Sequence, residues 1–540
     1  MMYIIRVHGG TMKSNFIKYI FIIFVIFIIG FAAYKIYYKE EPVEEENQTN
    51  TIEINEQILK DMRIGVASFD NINPIISQNR DVINLSTIIY EPLMSLTEDY
   101  KLEMRLAKEC SKIDEKTYVV KLKDNLKWED GSQITGGDVK FTIEKLKEGA
   151  SIYSPNVEKV DIVEIIDLLT VRINLKEQTN FFEYNLIFPI ISSNQFSGEI
   201  EFFKSRVVPM SSGMYKVKSA STDSMELVKN NNWYQNANIS RKMEEVKIKF
   251  YDTMGDVYNS FKIGNIDMIC TSNIKIKDYI GTIGYVAKDY KGRELDFIAI
   301  NSKNSILANK EVRQAINYAI DKNKIVSSVY GNEYYISAFP IDYGSWLYTK
   351  ESKSSYNQSK SKKTLEDAGW TYKYGRWQKV ENYSTKTIRL KLVVDNSNKD
   401  RVKVAELIEE QLEDIGIQIS LYKVSNENYK SYLESDDYDM IITGLYNGYS
   451  PDLSYFLGEE NLGNYENEEI TNILNELKNI TDEKIIREKY NRIIEIYEDE
   501  MPYICLYRNK AKAIYSMNLI GEFNPTNYTV YYNLEKWYRQ

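Results

Sequence analysis

The sequence predicts an α/β fold preceded by a hydrophobic N-terminal segment. Apolar residues alternate at 388–394 and 417–421, and a stripe with helical spacing lies between them at 404–415. A strand, a helix and a strand in series form a unit with parallel strands. Residues 19–34 carry no charge, although 27% of the whole chain is charged, which marks this stretch as separate from the folded body.

Length and charge limit the classes of function. The chain has 540 residues, 43% of them hydrophobic, which is enough to bury a large core divided over more than one lobe. Its formal net charge is −10, from 68 basic and 78 acidic residues. Such a surface repels the phosphates of nucleic acids, so we predict no nucleic acid partner.

Histidine and cysteine are too scarce for most catalytic and metal centres. The one histidine, His8, precedes Met12, where a basic and then apolar export segment begins. The cysteines, Cys110, Cys270 and Cys505, have no metal or redox spacing. Histidine-based nucleophile systems and histidine-ligated metal sites therefore lack their central residue. We predict no catalytic residue, no cofactor and no metal site.

Residues 1–39 are predicted to be an export segment that stays in the membrane as an anchor. Lys18 and Lys35 flank the uncharged stretch and extend its apolar span to about 20 residues, the length that crosses a bilayer. Basic residues before it and the acidic tether at 40–58 orient the body to the outside of the cell membrane. No cysteine precedes Cys110, which excludes an N-terminal lipid anchor, and a cleaved signal peptide is the alternative.

Beyond the tether, the chain begins with a strand, a turn and a helix. DMRIGV at 61–66 predicts the strand, and Asn73 and Pro74 predict the turn. The stretch 83–93, which ends in YEPL, predicts the helix.

The most informative segment is 118–145. It predicts an alternating strand at 118–122, then a tryptophan, a turn at Asp130 and Gly131, and a helix that begins near Asp138.

Three later segments have equally defined patterns. They are PMSSGMYKV at 209–217, EVRQAINYAIDKNKIVSSVYG at 311–331 and EMPYICLY at 500–507. The second predicts two helices, because its apolar residues recur with helical spacing, Asp321 can cap the second helix and Gly331 can end it.

The loop at 444–457 is a predicted ligand site. YDMIIT at 438–443 predicts a buried strand just before it. Open α/β sheets bind ligands beyond the carboxyl ends of their strands, which is where this loop lies.

These segments resemble the family 5 extracellular solute-binding proteins, the oligopeptide- and dipeptide-binding receptors of ABC importers. Segment 118–145 follows the family pattern of a strand, W.DG..lt..DV.f and a helix, and 311–331 follows its VR.A...AiDr pattern. The resemblance implies a two-lobed periplasmic-binding-protein fold of type II with an extra subdomain. The implied domains are lobe 1 at 59–300 with the subdomain at 94–208, lobe 2 at 301–507, and a C-terminal return to lobe 1 at 508–540.

The resemblance also implies which residues bind the ligand. Peptide-binding members carry, in the loop after the buried strand, an aspartate that pairs with the α-amino group of the peptide. Gly448 stands at that place here, so Asp452 is the candidate substitute, with a helix N-cap as the alternative role. The implied ligand-binding residues are Ser68, Asn71, Asn73, Tyr90, Glu91, Ser212, Tyr446, Asn447, Tyr449 and Asp452.

The function that the resemblance implies is capture outside the cell, without catalysis. The chain is expected to bind oligopeptides, dipeptides or similar small polar ligands between its lobes and to deliver them to the permease subunits of an ABC importer. A sensor of the same fold that does not transport its ligand is one alternative. A carboxylate-dependent hydrolase is the other, although no pair of acidic residues has a recognisable catalytic setting.

Overall fold

One long mixed sheet forms the centre of the protein. This computed structural model describes residues 59–149, 151–196, 207–342, 344–351 and 353–540. The predicted anchor and tether lie outside the described residues. Within the described ranges, no helix is long and apolar enough to span a bilayer.

Most of the segments in which apolar residues alternate form strands, as predicted. In chain order they are β1 Asp61–Ala67, β2 Met94–Leu96, β3 Leu102–Met104, β4 Ala107–Lys112, β5 Thr117–Leu122, β6 Val160–Asp167, β7 Thr170–Leu175, β8 Tyr215–Ala220, β9 Ser224–Lys229, β10 Glu245–Tyr251, β11 Met268–Thr271, β12 Tyr285–Ile300, β13 Tyr334–Ile336, β14 Thr371–Lys373, β15 Arg376–Glu381, β16 Ser384–Thr387, β17 Arg389–Asp395, β18 Gln418–Val424, β19 Met440–Tyr446, β20 Tyr503–Ser516, β21 Leu519–Ile520 and β22 Tyr538–Arg539.

Helices cover the sheet and connect its strands. They are α1 Arg80–Ile89, α2 Gly136–Glu148, α3 Ser154–Val157, α4 Met254–Lys262, α5 Ile276–Ile280, α6 Lys310–Ala319, α7 Lys322–Tyr330, α8 Gln358–Asp367, α9 Lys399–Glu413, α10 Asn426–Ser435, α11 Ser454–Leu457, α12 Glu468–Leu477 and α13 Glu483–Glu500, with short 3-10 turns at Phe182–Asn185 and Leu534–Lys536.

The central sheet consists of two half-sheets joined by β12 and β20. The first half-sheet contains β11, β1, β10, β9 and β8, and the second contains β19, β17 and β18. As predicted, β17, α9 and β18 form a unit in which the two strands are parallel, and β19 is parallel to β17 on its other side. The carboxyl ends of these three strands therefore lie at one edge of the second half-sheet.

The ladder between β12 and β20 is interrupted where the strands pass from one half-sheet to the other. Regular pairing stops at Lys291 and resumes at Leu295. In the gap, the side chain of Asn509 accepts a hydrogen bond from the backbone N–H of Glu294 at 3.1 Å. Gly292 makes this possible, because a Cβ there would lie 1.8 Å from the Asn509 Oδ1.

A buried ion cluster lies at the same crossing. The carboxylate of Asp342 contacts Arg293 of β12 and Arg508 of β20, and all three side chains are at most 5% exposed. Burial alone would raise the pKa of Asp342, but the two guanidinium groups outweigh it, and the pKa lies below its ordinary value. The cluster therefore ties the two connecting strands together through one carboxylate.

A smaller antiparallel sheet consists of β4, β5, β7 and β6. It belongs to the stretch of chain between β3 and β8, which we call the inserted part of the chain. The predicted strand, tryptophan and turn are present, with Trp128 fully buried. Helix α2 begins two residues before the predicted start, because Thr135 caps it and Asp138 completes a capping box by accepting from the Thr135 N–H at 2.8 Å.

Two other predicted boundaries can be compared with the structure. The helix expected at 83–93 spans 80–89 instead, because Tyr90 is extended and Glu91 precedes Pro92, which disfavours the helical conformation. Helices α6 and α7 agree with their prediction, since the Asp321 side chain accepts from the Lys324 N–H at 3.0 Å and Gly331 is left-handed. The exact lobe boundaries stay a prediction.

The two ends of the described body meet beside the first half-sheet. The Leu59 N–H donates to the carbonyl of Arg539 at 2.8 Å, and the Arg539 side chain contacts the carboxylate of Asp61 in β1. The strand that opens the body is thus stabilised by the residues that close it.

We expect Asp342→Asn to lower the free energy of unfolding by about 3 to 5 kcal/mol, because it leaves two buried guanidinium groups without a full counter-charge. Chemical denaturation measures this. Since the folded-state pKa of Asp342 is lowered, its stabilisation is present above the unfolded pKa of about 3.9 and is lost as pH falls through the lower folded value. The difference between wild type and variant should therefore shrink in acid.

Asp367→Asn is the matched control, because Asp367 forms an exposed pair with Lys363. It should change the free energy of unfolding by less than about 1 kcal/mol. Equal effects of the two substitutions would contradict a special role for the Asp342 cluster.

Candidate functional site

A cavity of about 620 Å³ lies where α1, the inserted part of the chain and the loop after β19 converge. Its volume is typical of small-molecule sites. Because α1 follows β1 and the loop follows β19, both half-sheets contribute to it. We call it the central cavity.

Tyrosine side chains dominate the wall of the central cavity. Phenol rings offer flat apolar surface with one polar end, which suits a ligand that is partly apolar and partly polar. Burial raises the pKa of Tyr153 to about 12, so its hydroxyl is protonated and able to donate at neutral pH. The tyrosines that line the cavity are Tyr90, Tyr153, Tyr184, Tyr446, Tyr449 and Tyr528.

Three hydrogen-bond donors at the cavity converge on one oxygen atom, the Oδ1 of Asn527. The Arg80 Nη2 donates to it at 3.1 Å, the Tyr446 hydroxyl at 3.3 Å and the Tyr449 hydroxyl at 2.9 Å. Arg80 also donates to the backbone carbonyl of Asn527. The donors come from α1 and from the end of β19 and its loop, so this cluster connects the two half-sheets.

Arg80 is the first residue of α1 and is exposed toward the cavity. The adjacent Asp81 is not among the lining residues. Burial raises the pKa of Asp81 to about 6, although the positive charge of Arg80 lowers it in part.

The Asp342 cluster holds the loop after β19 in place. The Arg293 Nε donates to the carbonyl of Asn447 at 2.8 Å, and its Nη2 donates to the carbonyl of Gly448. The guanidinium also lies beside the stacked rings of Tyr100 and Tyr449, 5.2 and 5.1 Å from their centroids. The position of Tyr449 in the cavity thus depends on a buried arginine.

Three of the residues predicted to bind ligand line the central cavity, namely Tyr90, Tyr446 and Tyr449. Asn447 lies behind the wall, where its side-chain amide donates to the carbonyl of Pro340 at 2.8 Å. This contact supports the loop, and the ligand-binding role of Asn447 stays a prediction.

Glu91 and Ser212 belong to a buried network outside the central cavity. The Glu91 carboxylate accepts two hydrogen bonds from Arg105, both of 2.8 Å, and one from the Trp233 indole at 2.7 Å. The Ser212 hydroxyl accepts from the Glu91 backbone N–H at 2.9 Å. Glu91 and Arg105 face a separate, smaller cavity of about 270 Å³.

Ser68, Asn71 and Asn73 form the turn after β1 and do not line the central cavity. The Ser68 hydroxyl donates to the carbonyl of Asp252 at 3.1 Å. The Asn71 side chain accepts from the Asn73 N–H at 2.8 Å, and the Asn73 side chain accepts from the Ile75 N–H at 3.1 Å. Their side-chain oxygens therefore fold the chain back on itself.

Asp452 also makes local contacts. Its Oδ1 accepts from the N–H and hydroxyl of Ser454, at 3.0 and 2.6 Å, in the turn that leads into α11. It lies 3.4 Å from the Asn180 amide nitrogen and is not among the lining residues of the central cavity. The amine-binding role of Asp452 stays a prediction.

Sequence reasoning missed Arg80, Asn527 and Tyr528. Arg80 carries a usable signal, since it is a basic residue in the first turn of a helix that follows the cleft-edge strand, where acidic residues are favoured. The C-terminal residues carry none, because only the fold brings 527 and 528 next to α1.

Comparison with known proteins gives consistent results. The sequence profile of the bacterial extracellular solute-binding proteins, family 5 (Middle), matches residues 101–461, which is more than half of the chain. The Oligopeptide-binding protein AppA of Bacillus subtilis (strain 168) is 24% identical over 504 residues, covering 86% of this chain and 89% of AppA. Heme-binding protein A of Haemophilus influenzae is 24% identical over 401 residues, covering 70% of each chain.

A solved structure supports the same architecture. MppA, a periplasmic murein tripeptide binding protein in its unliganded open form, has a TM-score of 0.75 at 16% identity, covering 89% of this chain and 98% of MppA. This likeness shows that the two-lobed α/β fold is shared.

We expect Glu91→Gln to destabilise the protein by about 3 to 5 kcal/mol, because the buried Arg105 guanidinium loses its counter-charge. Thermal and urea unfolding measure the change. Glu103→Gln, which removes an exposed carboxylate near the same small cavity, is the control and should have little effect. An unchanged stability of Glu91→Gln would show that this network is not structural.

Proposed function

Because the chain belongs to the family 5 bacterial extracellular solute-binding proteins, the receptors of ABC importers, we propose that it binds short peptides in its central cavity. It then delivers them to a membrane permease. The family is one of substrate-binding receptors and not of enzymes. Its members take up chemically different solutes, so the choice of peptide rests on this chain's own cavity.

The observation that carries the proposal is the composition of the cavity wall. A volume of about 620 Å³ accommodates a ligand of a few residues. Tyrosine rings supply apolar contact, and their hydroxyls supply hydrogen bonds for peptide groups. The relative AppA, an oligopeptide-binding protein, supports the same ligand class.

Binding and delivery are coupled through the two connecting strands. A ligand that touches Tyr90 of one lobe and Tyr446 and Tyr449 of the other stabilises the arrangement in which the lobes are close. The interruption at Gly292 is the natural place for the rotation, because the regular ladder is already broken there. A permease then distinguishes loaded from empty receptor by shape.

We propose in addition that residues 19–34 anchor the receptor in the cell membrane, with the body on the outer face. The support is the uncharged sequence between Lys18 and Lys35 and the acidic tether that follows. An anchored receptor stays near its permease.

The ligand class can be tested with the full-length chain purified in detergent. We expect pools of di- to octapeptides to raise its stability, since a ligand at 100 times its dissociation constant adds about 2.7 kcal/mol. Thermal shift detects the effect, and titration calorimetry of each active pool confirms it.

The control variant is Gly448→Trp. Gly448 lines the cavity, and a Cβ there meets no atom within 4 Å, so we expect the indole to extend into the cavity from an unobstructed position. This variant should fold like wild type and lose the peptide response. If no peptide pool stabilises the wild type, the ligand is not a peptide.

Membranes of the native host should retain the full-length chain through a carbonate wash, because an apolar span of about 20 residues inserts stably. Immunoblotting of the washed membranes measures this. Release of a soluble protein whose N-terminal sequence begins at Ala33 would identify a cleaved signal peptide instead.

A further inference from the structure

The central cavity contains a site whose chemistry is more specific than peptide binding in general. Among the described residues that line it, the one charged side chain is Arg80, and no aspartate or glutamate takes part. An ammonium group entering this cavity would find no counter-charge in the wall, whereas a carboxylate would find one.

Arg80 is free to serve as that counter-charge. Within the described ranges, no carboxylate oxygen lies within 4 Å of its guanidinium, whereas Arg105 and Arg293 each pair with a buried carboxylate. The Arg80 guanidinium donates to the backbone carbonyl and side-chain oxygen of Asn527 and contacts the Tyr449 hydroxyl, and both partner residues are neutral. Asp81 acts on Arg80 only through space, without a contact to its guanidinium, so Arg80 has no directly paired carboxylate.

The Asn527 Oδ1 is contacted by more hydrogen-bond donors than an amide oxygen readily accepts. Such an oxygen has two lone pairs, whereas Arg80, Tyr446 and Tyr449 all point hydrogen-bond donors at it. A carboxylate offers about four lone-pair positions and a full negative charge, which makes hydrogen bonds from a guanidinium and from phenols stronger. The three donors are thus arranged to bind an anion. In this structure the side-chain oxygen of Asn527 occupies the position that the anion would take.

We propose that the ligand is bound by a carboxylate group, which replaces the Asn527 side chain as the acceptor for Arg80, Tyr446 and Tyr449. This inference rests on the proposed function and narrows it to peptides or peptide-like compounds with a free carboxyl end. The amino end is not required, because no acidic side chain in the described wall meets it. Since Arg80 belongs to one lobe and the tyrosines to the other, the carboxylate also joins the lobes.

The first test uses one tripeptide pool in three forms: free, amidated at the C-terminus and acetylated at the N-terminus. Titration of the full-length chain in detergent should give the acetylated form an affinity within about threefold of the free form. The amidated form should bind about 10 to 100 times more weakly, the range for loss of a charge-assisted hydrogen bond.

The matched variant is Arg80→Gln, which keeps a donor and removes the charge. It should weaken binding of the free form by at least about tenfold and leave the amidated form nearly unchanged, so that the two forms bind alike. Arg80→Lys should recover part of the discrimination. Equal binding of free and amidated peptides by wild type, or loss of binding on acetylation, would overturn the carboxylate assignment.

A second test needs no ligand. Asn527→Asp places a carboxylate among the three donors, and it should raise the Tm of the empty protein and weaken binding of the free peptides. The rise in Tm should be absent in the Arg80→Gln background, as a double-mutant cycle measures. If Asn527→Asp lowers the Tm or leaves it unchanged in the protein that keeps Arg80, the donors do not form an anion site.

The two tests separate the two proposals. If no peptide form binds but Asn527→Asp is stabilised through Arg80, the peptide function fails and the anion site stands for a carboxylate that is not a peptide. If peptides bind without regard to their carboxyl end and Asn527→Asp gains no stability, the peptide function stands and the anion site is refuted.

Discussion

The pairing of one buried carboxylate with two arginines is the interaction on which the rest of the architecture depends. Asp342 pairs with both Arg293 and Arg508 where β12 and β20 pass from one half-sheet to the other. The arginines lie where the backbone ladder between β12 and β20 is incomplete. Their ion pairs with Asp342 therefore connect the two strands where main-chain hydrogen bonds are missing.

The same cluster reaches the ligand site through a short chain of contacts. Arg293 donates to the carbonyls of Asn447 and Gly448 and lies against the ring of Tyr449, and Tyr446 and Tyr449 face the central cavity. Arg80, at the start of α1, and Tyr90, just after its end, also line the cavity. The side chains that line the cavity are therefore positioned either by a helix or by buried ion pairs, and contacts with Arg293 fix the conformation of the loop after β19.

Sequence reasoning reached the fold because its signals are local. The alternation at 388–394, the helical stripe at 404–415 and the cap at Asp321 each concern neighbours along the chain. The cavity is a different matter, since Arg80 and Asn527 are 447 positions apart and no local pattern relates them. Glu91 shows the converse, because its sequence position suggests the cleft while its contacts place it in a buried network.

The meeting of Leu59 with Arg539 has a consequence for the time course of assembly. The second lobe's parallel strands and their helix come from one continuous stretch, so their contacts form between near neighbours. The first half-sheet needs β1 beside β10 and β11, and Arg539 then contacts Leu59 and Asp61 at the start of β1. The first strand of the body, β1, therefore completes its contacts only when the last residues of the chain are available.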